Sequence, residues 1–215
     1  MIGDTLVITD YHREAAARVI PLVLEKLEAS DGPIAVSVAG ESGSGKSEIA
    51  ACLSEGLGNV GRQSVILCQD DYFHLPPRSN HEKRLGDLDW VGPSEVRLDL
   101  LSEHVAALKQ HPEKPLRKPL VDFAANAIGE EQIDAAGRDV VIAEGTYTTL
   151  VDGIDVRVFI NRTYHQTRKN RERRNRDPDM DFLERVLEIE HAVIAPCRER
   201  ADVVIPPPAD DLEGS

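Results

Sequence analysis

This sequence of 215 residues contains few cysteines and lacks long apolar segments. The three cysteines, Cys52, Cys68 and Cys197, are far apart and show no C-x-x-C or Cys/His spacing, which argues against a zinc site and a disulfide framework. No window reaches the roughly 18 apolar residues of a membrane span, and the N-terminus lacks a basic stretch followed by an apolar signal core. We therefore expect a cytoplasmic protein without a membrane partner.

Positive charge is also scarce. The chain has 25 Lys and Arg against 38 Asp and Glu, a net charge of −13, which repels polyanions and argues against nucleic acid as a partner. One basic cluster is the exception, since six cations fall within nine positions: Arg168, Lys169, Arg171, Arg173, Arg174 and Arg176.

Short apolar, β-rich runs alternate with segments of helical periodicity. Strands are predicted at 34–39, 64–68, 140–143, 156–160 and 203–205. Helices are predicted at 11–27, 48–57 and 93–110. This alternation predicts an α/β fold, a parallel sheet of about five strands with helices on both faces, whose ligands sit at the carboxyl ends of the strands.

The length is typical of a single domain over residues 1–215, with an N-terminal helix in 1–31 and a flexible, proline-rich tail at 206–215. The polar stretch 70–92 has no clear period and is interpreted as a functional loop or lid segment. Residues 120–123, which follow a proline-rich segment, are assigned to an edge hairpin.

Residues 40–47 read G-E-S-G-S-G-K-S and match the phosphate-loop pattern G-x-x-x-x-G-K-[ST] between a predicted strand and a predicted helix. Backbone N–H groups of such a loop surround phosphate oxygens, and the positive end of the helix faces the same anion. We expect Lys46 to reach the β- and γ-phosphates and the Ser47 hydroxyl to bind Mg²⁺. The predicted ATP-binding residues are Gly40, Glu41, Ser42, Gly43, Ser44, Gly45, Lys46, Ser47 and Glu48. An ordinary Gly/Ser-rich turn is the alternative.

Carboxylates follow two of the predicted strands. Asp70 and Asp71 come after 64–68, at the sheet edge beside the phosphate loop, where one of them can accept a proton from an acceptor hydroxyl. Glu144 ends the strand at 140–143 and places a second carboxylate near the metal. The alternatives are two aspartates that cap a turn and a glutamate that caps a helix.

The run Gln69-Asp70-Asp71-Tyr72-Phe73 resembles the Q-D-x-[FY]-[FY] motif of the uridine kinase and phosphoribulokinase superfamily, which includes the nicotinamide riboside kinases. The resemblance covers roughly 34–205 and implies a P-loop kinase with ATP as co-substrate and Mg²⁺ as cofactor. It implies that Asp70 is the general base, and Tyr72 is assigned to the acceptor site. Glu144-Gly145 resembles the family's Glu-Gly strand end, which implies Ser47, Asp70 and Glu144 at the magnesium site.

The basic cluster resembles the R-x-x-R-x-x-R-D run of the family's lid helix, with Arg173 and Arg176 at the closest matching positions. The resemblance implies an Arg-rich lid at about 164–180. Guanidinium groups there would offset charge on the transferred phosphoryl group and exclude water when the lid closes. A solvated helix face or a weak anion-binding patch is the alternative.

The acceptor side departs from uridine kinases. Their D-H-P segment corresponds to 88–93, where Asp89 is the nearest match for the residue that holds the acceptor, with Asp87 as the alternative. Their Y-D-F-x-x-H-x-R pattern becomes V-D-F-A-A-N-A-I at 121–128, which argues against a pyrimidine nucleoside. Trp90 is left open between stacking on a heterocycle and filling the core. Four nearby basic residues receive no role: His74, Arg78, His81 and Arg84.

The sequence therefore predicts an ATP-dependent phosphotransferase that phosphorylates a hydroxyl of a small molecule. Its predicted catalytic residues are Asp70, Lys46, Arg173 and Arg176, and its predicted acceptor-binding residues are Asp89 and Tyr72. The alternative is a nucleotide-binding switch or an ATPase that acts on a protein partner, although no N-K-x-D guanine motif is visible. The identity of the acceptor and the oligomeric state, with a homodimer as one option, are left open.

Overall fold

The computed structural model describes residues 6–168, 171 and 180–212. Its strands in chain order are β1 (Ile34–Gly40), β2 (Ser64–Cys68), β3 (Leu116–Asp122), β4 (Ala127–Ile133), β5 (Val140–Glu144), β6 (Val156–Ile160) and β7 (Val203–Ile205). Five of these form one parallel sheet in the order β2-β5-β1-β6-β7, and β3 and β4 form a separate antiparallel hairpin. The predicted α/β fold and all five sheet strands are confirmed.

The helices are α1 (Asp10–Glu28), α2 (Lys46–Asn59), α3 (Pro77–Gly86), α4 (Leu98–Gln110), α5 (Met180–Ile194) and α6 (Ala209–Leu212). Short 3₁₀ turns lie at Gln69–Tyr72, Leu88–Trp90, Pro93–Glu95, Thr148–Leu150 and Ala195–Arg200. Among these described elements, no helix combines the length and the apolar character that crossing a bilayer requires.

Two apolar cores lie on opposite faces of the sheet. On one face, α1 and α2 bury side chains such as Val19 and Leu53 against β1. On the other, α4 buries Leu101 and Val105 against β5. Every residue of β1 and β5 is buried, as expected for central strands of a parallel sheet that is covered on both faces. This burial fixes the sheet edge at which the loops after β1, β2 and β5 meet.

The prediction that 70–92 lacks regular structure is corrected by α3. This helix begins with Pro77 and buries only Asn80, so it has no apolar stripe that a periodicity argument could detect. Polar contacts to distant residues hold it instead, including Trp90 Nε1, which donates to Asn80 Oδ1 at 2.9 Å.

Two predicted boundaries are also corrected. The helix expected from residue 93 begins at Leu98, because the Glu95 carboxylate accepts from Gly92 N at 2.8 Å and closes a short turn there. The hairpin strand expected at 120–123 begins at Leu116, and Pro119 is tolerated because β3 pairs on one side only.

The segment expected as a flexible tail contacts the body of the domain as far as Asp211. The Tyr11 hydroxyl donates to the Pro206 carbonyl at 3.2 Å, and Arg162 Nε donates to Asp211 Oδ2 at 2.5 Å. The last turn of the described chain, α6, therefore lies near the start of α1.

Candidate active site

The phosphate loop connects β1 to α2, as the sequence predicts. Gly45 immediately precedes α2 with a φ of 99°, a left-handed conformation that favours glycine. Lys46 Nζ donates to the Glu41 carbonyl at 2.9 Å, and Ser44 N donates to the same carbonyl at 3.1 Å. These bonds curl the loop in front of the N-terminus of α2, which is an arrangement suited to an anion.

The Ser44 hydroxyl supports this assignment. The side chain is fully buried, and its Oγ has no hydrogen-bond partner among the described residues. A buried hydroxyl without a partner is unfavourable, and phosphate oxygens at the loop supply acceptors.

The Glu41 side chain has a different role from the backbone around it. Its carboxylate is buried, accepts from Tyr164 N at 2.5 Å, and lies 2.7 Å from His191 Nδ1. Thr167 Oγ1 likewise donates to the Ser42 carbonyl at 2.8 Å. The phosphate loop is therefore fastened to α5 and to the segment that leads toward the basic cluster.

The predicted metal ligands come together at one edge of the sheet. β2 and β5 are neighbours, with Cys68 opposite Glu144, so Asp70 follows β2 near the end of β5. The Glu144 carboxyl is buried, and the Ser47 hydroxyl and the Cys68 thiol act to lower its pKa. Burial and the charge of Asp70 raise the pKa of Glu144 to about 7, while these two groups and Lys46 oppose this shift.

The glycine after Glu144 is required by a close approach. Gly145 has a φ of 155°, and a Cβ there would collide with the Gln69 side chain. Gln69 Oε1 in turn accepts from Tyr147 N at 2.6 Å. The Glu-Gly pair thus allows the loop after β2, which carries Asp70, to pack directly on the end of β5.

These residues fit a magnesium ion by their chemistry. A hydroxyl and two carboxylates are hard oxygen donors, and a divalent cation would offset the repulsion between Asp70 and Glu144. Within the described ranges, no three His, Cys, Asp or Glu side chains are arranged around a common metal position. Mg²⁺ usually takes one or two carboxylates and completes its shell with phosphate and water.

Asp70 and Asp71 are separated by their surroundings. Asp71 is fully buried, and its carboxylate accepts from Lys118 Nζ at 2.7 Å and from Val121 N at 3.0 Å. Lys118 also pairs with Glu131 at 2.6 Å. Asp71 therefore fastens the β3–β4 hairpin to the loop after β2, which leaves Asp70 as the carboxylate that faces the open side.

The two predicted acceptor-binding residues, Tyr72 and Asp89, have different surroundings. Tyr72 is 0% exposed and its hydroxyl lies 2.9 Å from His104 Nδ1, so its expected contact with the acceptor is corrected to a packing role. Asp89 is exposed in the Leu88–Trp90 turn, and Asp87 pairs with Lys83 at 2.9 Å. Trp90 is half-buried against Asn80 and Lys83.

The predicted lid arginines, Arg173 and Arg176, lie outside the described residues. Two other members of the basic cluster are described. Arg168 pairs with Glu184 at 3.1 Å. Arg171 is buried, packs next to Gly43 of the phosphate loop and donates to Thr167 Oγ1 at 2.5 Å, and burial lowers its pKa.

A cavity of about 210 Å³ opens between Asp70 and the phosphate loop. Its walls come from the loop after β2, from α3, from β3 and the residue after it, from the loop after β5, and from α5. The lining residues are Ser42, Asp70, Phe73, Leu75, Pro77, Asn80, Arg84, Val121, Phe123, Thr146 and Glu190. The cavity therefore joins the predicted base to the phosphate loop.

A buried polar network forms one wall of this cavity. Arg84 donates to both Glu95 oxygens, at 2.5 and 2.9 Å, and to Glu190 at 3.3 Å. Asn80 Nδ2 also donates to Glu95 at 2.6 Å. Burial acts against the charge of Arg84, but Glu190 and Glu95 raise its pKa overall, whereas burial raises the pKa of Glu190.

Sequence reasoning missed this wall. The sequence pattern assigns no role to Arg84 and does not single out Glu190, although the position of Glu190 on its helix indicates a buried carboxylate. Val186, Leu187 and Ile194 are buried on α5, and Glu190 stands at helical spacing on the same face. A carboxylate on the buried face of an amphipathic helix is rare unless it is paired or functional.

The comparisons with known proteins agree with this architecture. The model of the Phosphoribulokinase / Uridine kinase family matches residues 35–212. A uridine kinase from Latilactobacillus sakei is 28% identical over 186 residues, which cover 81% of this chain and 85% of that protein. A bifunctional alpha-galactosidase/sucrose kinase from Mediterraneibacter gnavus is 28% identical over 190 residues, 82% of this chain and 20% of that protein. The structure of D-glycerate 3-kinase from Cryptococcus neoformans superposes with a TM-score of 0.58 at 15% identity, covering 86% of this chain and 87% of that one.

Proposed function

The chain belongs to the phosphoribulokinase/uridine kinase family, and from this premise we propose that it transfers the γ-phosphate of Mg·ATP to a hydroxyl of a small molecule. The family and its relatives are kinases of small molecules. The observation that carries the proposal is the convergence of Lys46, Ser47, Asp70 and Glu144 beside a cavity at the carboxyl edge of the sheet.

In the proposed reaction, Asp70 accepts the proton of the acceptor hydroxyl as its O–H bond breaks. The hydroxyl oxygen forms a bond to the γ-phosphorus, and the bond from that phosphorus to the β–γ bridging oxygen breaks, leaving its electron pair on ADP. Lys46 and the loop N–H groups hold the β- and γ-phosphates. Ser47 and Glu144 would hold magnesium, and the ion would offset the charge of the phosphates.

We assign Arg173 and Arg176 to closure over the phosphates. Support comes from Arg171 of the same cluster, whose side chain packs against Gly43, so this part of the chain reaches the phosphate loop. A guanidinium in such a position would offset charge on the transferred phosphoryl group.

The acceptor is assigned to the cavity, and a pyrimidine nucleoside is not the acceptor we favour. Val121 and Phe123 line the cavity, and they belong to the segment 121–128 that lacks the Tyr, His and Arg of the uridine kinase pattern. A site that recognises a base by hydrogen bonds depends strongly on those groups.

The test is ADP formation with Mg·ATP against a panel of nucleosides, nicotinamide riboside, hydroxy acids and sugars. We expect Asp70→Asn to retain ATP binding and to lose most acceptor-dependent turnover, by about 10²-fold or more, since general-base catalysis contributes 10²–10⁴-fold. Asp152→Asn, at an exposed position, serves as the matched control.

The two possible outcomes distinguish a kinase from a nucleotide-binding switch or an ATPase. Acceptor-dependent ADP formation that Asp70→Asn abolishes supports the kinase assignment and identifies the substrate. Slow hydrolysis that no acceptor stimulates would favour a nucleotide-binding switch or an ATPase that acts on a protein partner.

A further inference from the structure

Carboxylates outnumber cations among the described charged side chains in and directly behind the acceptor cavity. Asp70, Arg84 and Glu190 line the cavity, and Glu95 lies directly behind Arg84. Arg84 pairs with Glu95 and Glu190, and the group of four side chains carries a net charge of −2 when all are ionised. The wall that meets the acceptor is acidic.

Arg84 is the single cation among the described lining residues, and two of its three guanidinium nitrogens are already engaged. Nε and Nη2 donate to the two oxygens of Glu95, and Nη2 also donates to Glu190. Glu95 is 0% exposed, so its charge depends on Arg84 for compensation. An acceptor anion beside Arg84 would compete with Glu95 and Glu190 for this one positive charge.

Besides Arg84, Lys46 is a nearby cation, and its positive charge acts to lower the pKa of Glu190. It belongs to the phosphate loop, where the proposed triphosphate takes its charge. Among the described lining residues, an anionic acceptor would therefore meet Asp70 and Glu190 without a cation of its own, and such like charges disfavour its binding.

The uncharged part of the lining is equally informative. Phe73 and Phe123 supply aromatic faces, and Leu75, Pro77 and Val121 supply apolar contacts. Carboxylate oxygens accept hydrogen bonds from hydroxyl groups, and ring faces pack against C–H groups. The volume of about 210 Å³ lies below the roughly 300–1,000 Å³ that is usual for pockets of larger ligands.

We infer that the cavity takes an uncharged polyhydroxyl acceptor of about monosaccharide size, with Asp70 on the hydroxyl that is phosphorylated and Glu190 on a neighbouring hydroxyl. This inference rests on the proposed function, whose bond changes it leaves unaltered. It assigns Glu190 as a residue that determines acceptor class, because its charge rejects acids and its oxygens accept from hydroxyls.

The experiment measures acceptor-dependent ADP formation with compounds that share a carbon skeleton and differ in charge. Each neutral sugar or polyol in the panel is paired with its sugar acid and, where one exists, its amino sugar; nucleosides form a separate set. We expect kcat/KM for the best neutral compound to exceed that of its acid by at least roughly 100-fold, as like-charge repulsion requires.

Glu190→Gln then tests the residue itself. It retains an oxygen for Arg84 and removes the charge, so we expect the preference for the neutral compound over its acid to shrink about 10-fold, with the KM for ATP unchanged. Glu188→Gln, an exposed position two residues earlier on α5, should keep the wild-type preference.

The outcomes separate this inference from the proposed function. Turnover of an acid as fast as its neutral counterpart, or a preference for nucleosides, would overturn the inference and leave the kinase intact. The inference also fails if Glu190→Gln keeps the wild-type preference. Bound Mg·ATP with no acceptor used in any class would overturn the proposed function and the inference together.

Discussion

The phosphate side and the acceptor side of the site are built in opposite ways. The phosphate side is one contiguous loop between β1 and α2, completed by residues that directly follow two adjacent strands. The acceptor side is assembled from distant segments, and the bond that joins Arg84 to Glu190 spans 106 positions of sequence. Backbone N–H groups bind a phosphate that all kinases share, whereas the acceptor must be recognised by side chains.

The difference shows where this fold can change its substrate. Replacing cavity-lining side chains on α3 or on the hairpin alters the cavity wall, whereas α5 also holds the phosphate loop through His191. The bond from Lys118 to Asp71 crosses between the two sides and fastens the hairpin to the loop that carries Asp70. Substitutions away from these contacts can therefore test each side separately.

The largest effect is expected on the phosphate side. Lys46→Ala removes the cation that reaches the β- and γ-phosphates, and we expect kcat to fall about 10³-fold with the melting temperature nearly unchanged. The measurement is steady-state ADP formation beside a thermal unfolding curve. Lys26→Ala, at an exposed position of α1, is the control, and a Lys46→Ala enzyme with wild-type turnover would contradict the assignment.

The next effect falls on the contact that joins the two sides. Asp71→Ala removes one of the two carboxylates that pair with buried Lys118 and also the acceptor of Val121 N, and we expect the free energy of unfolding to drop by about 3 kcal/mol. The acceptor KM should rise while ATP affinity stays, because the hairpin wall loosens. Urea unfolding and nucleotide binding measure both.

Asp134→Ala is the matched control, because this exposed aspartate also accepts from a backbone N–H. A loss of stability for Asp71→Ala no larger than that of the control would show that the buried pair does not hold the hairpin.

A smaller effect is confined to the acceptor side. Phe123→Ala removes a half-exposed ring from the cavity wall, and we expect the acceptor KM to rise roughly 10-fold from lost apolar contact. The KM for ATP should stay within about twofold of wild type. Val60→Ala removes an exposed apolar side chain just after the end of α2 and should change neither constant. Equal changes in both constants would mean that the two sides are not separable.

The smallest expected effect is a pH dependence of stability from His104, whose Nδ1 lies 2.9 Å from the Tyr72 hydroxyl. Burial, with the charges of Lys118 and Arg97, lowers the pKa of His104 below its ordinary 6.5. The folded state therefore binds this proton less readily than the unfolded state, so stability is full above pH 6.5 and falls as pH decreases below it.

We expect this contribution to be at most about 1.4 kcal/mol per pH unit. The measurement is urea unfolding between about pH 5 and 8, comparing wild type with His104→Gln, which should lose that part of the slope. His111→Gln, at an exposed position, should keep the wild-type slope. The same slope in His104→Gln and wild type would remove His104 from the explanation.

The phosphate side of the site was more predictable from the sequence than the acceptor side. The five sheet strands were predictable because each is a short apolar run, and the phosphate loop because its pattern is contiguous. α3 was not predictable, since the polar residues of 77–86 are held by contacts to Glu95, Trp90 and Asn126. Tyr72 was misassigned because sequence cannot show which way a side chain faces after a strand ends.

The sequence by itself determined the parallel α/β sheet, the phosphate loop and the carboxylates that follow β2 and β5. These features depend on neighbouring residues and on the rule that parallel strands end at one edge. Only the tertiary structure decided that Asp71 fastens the hairpin while Asp70 faces the cavity, and that Arg84, Glu95 and Glu190 form one acidic wall. The physical reason is that burial and ion pairing between distant segments exist only after the chain has folded.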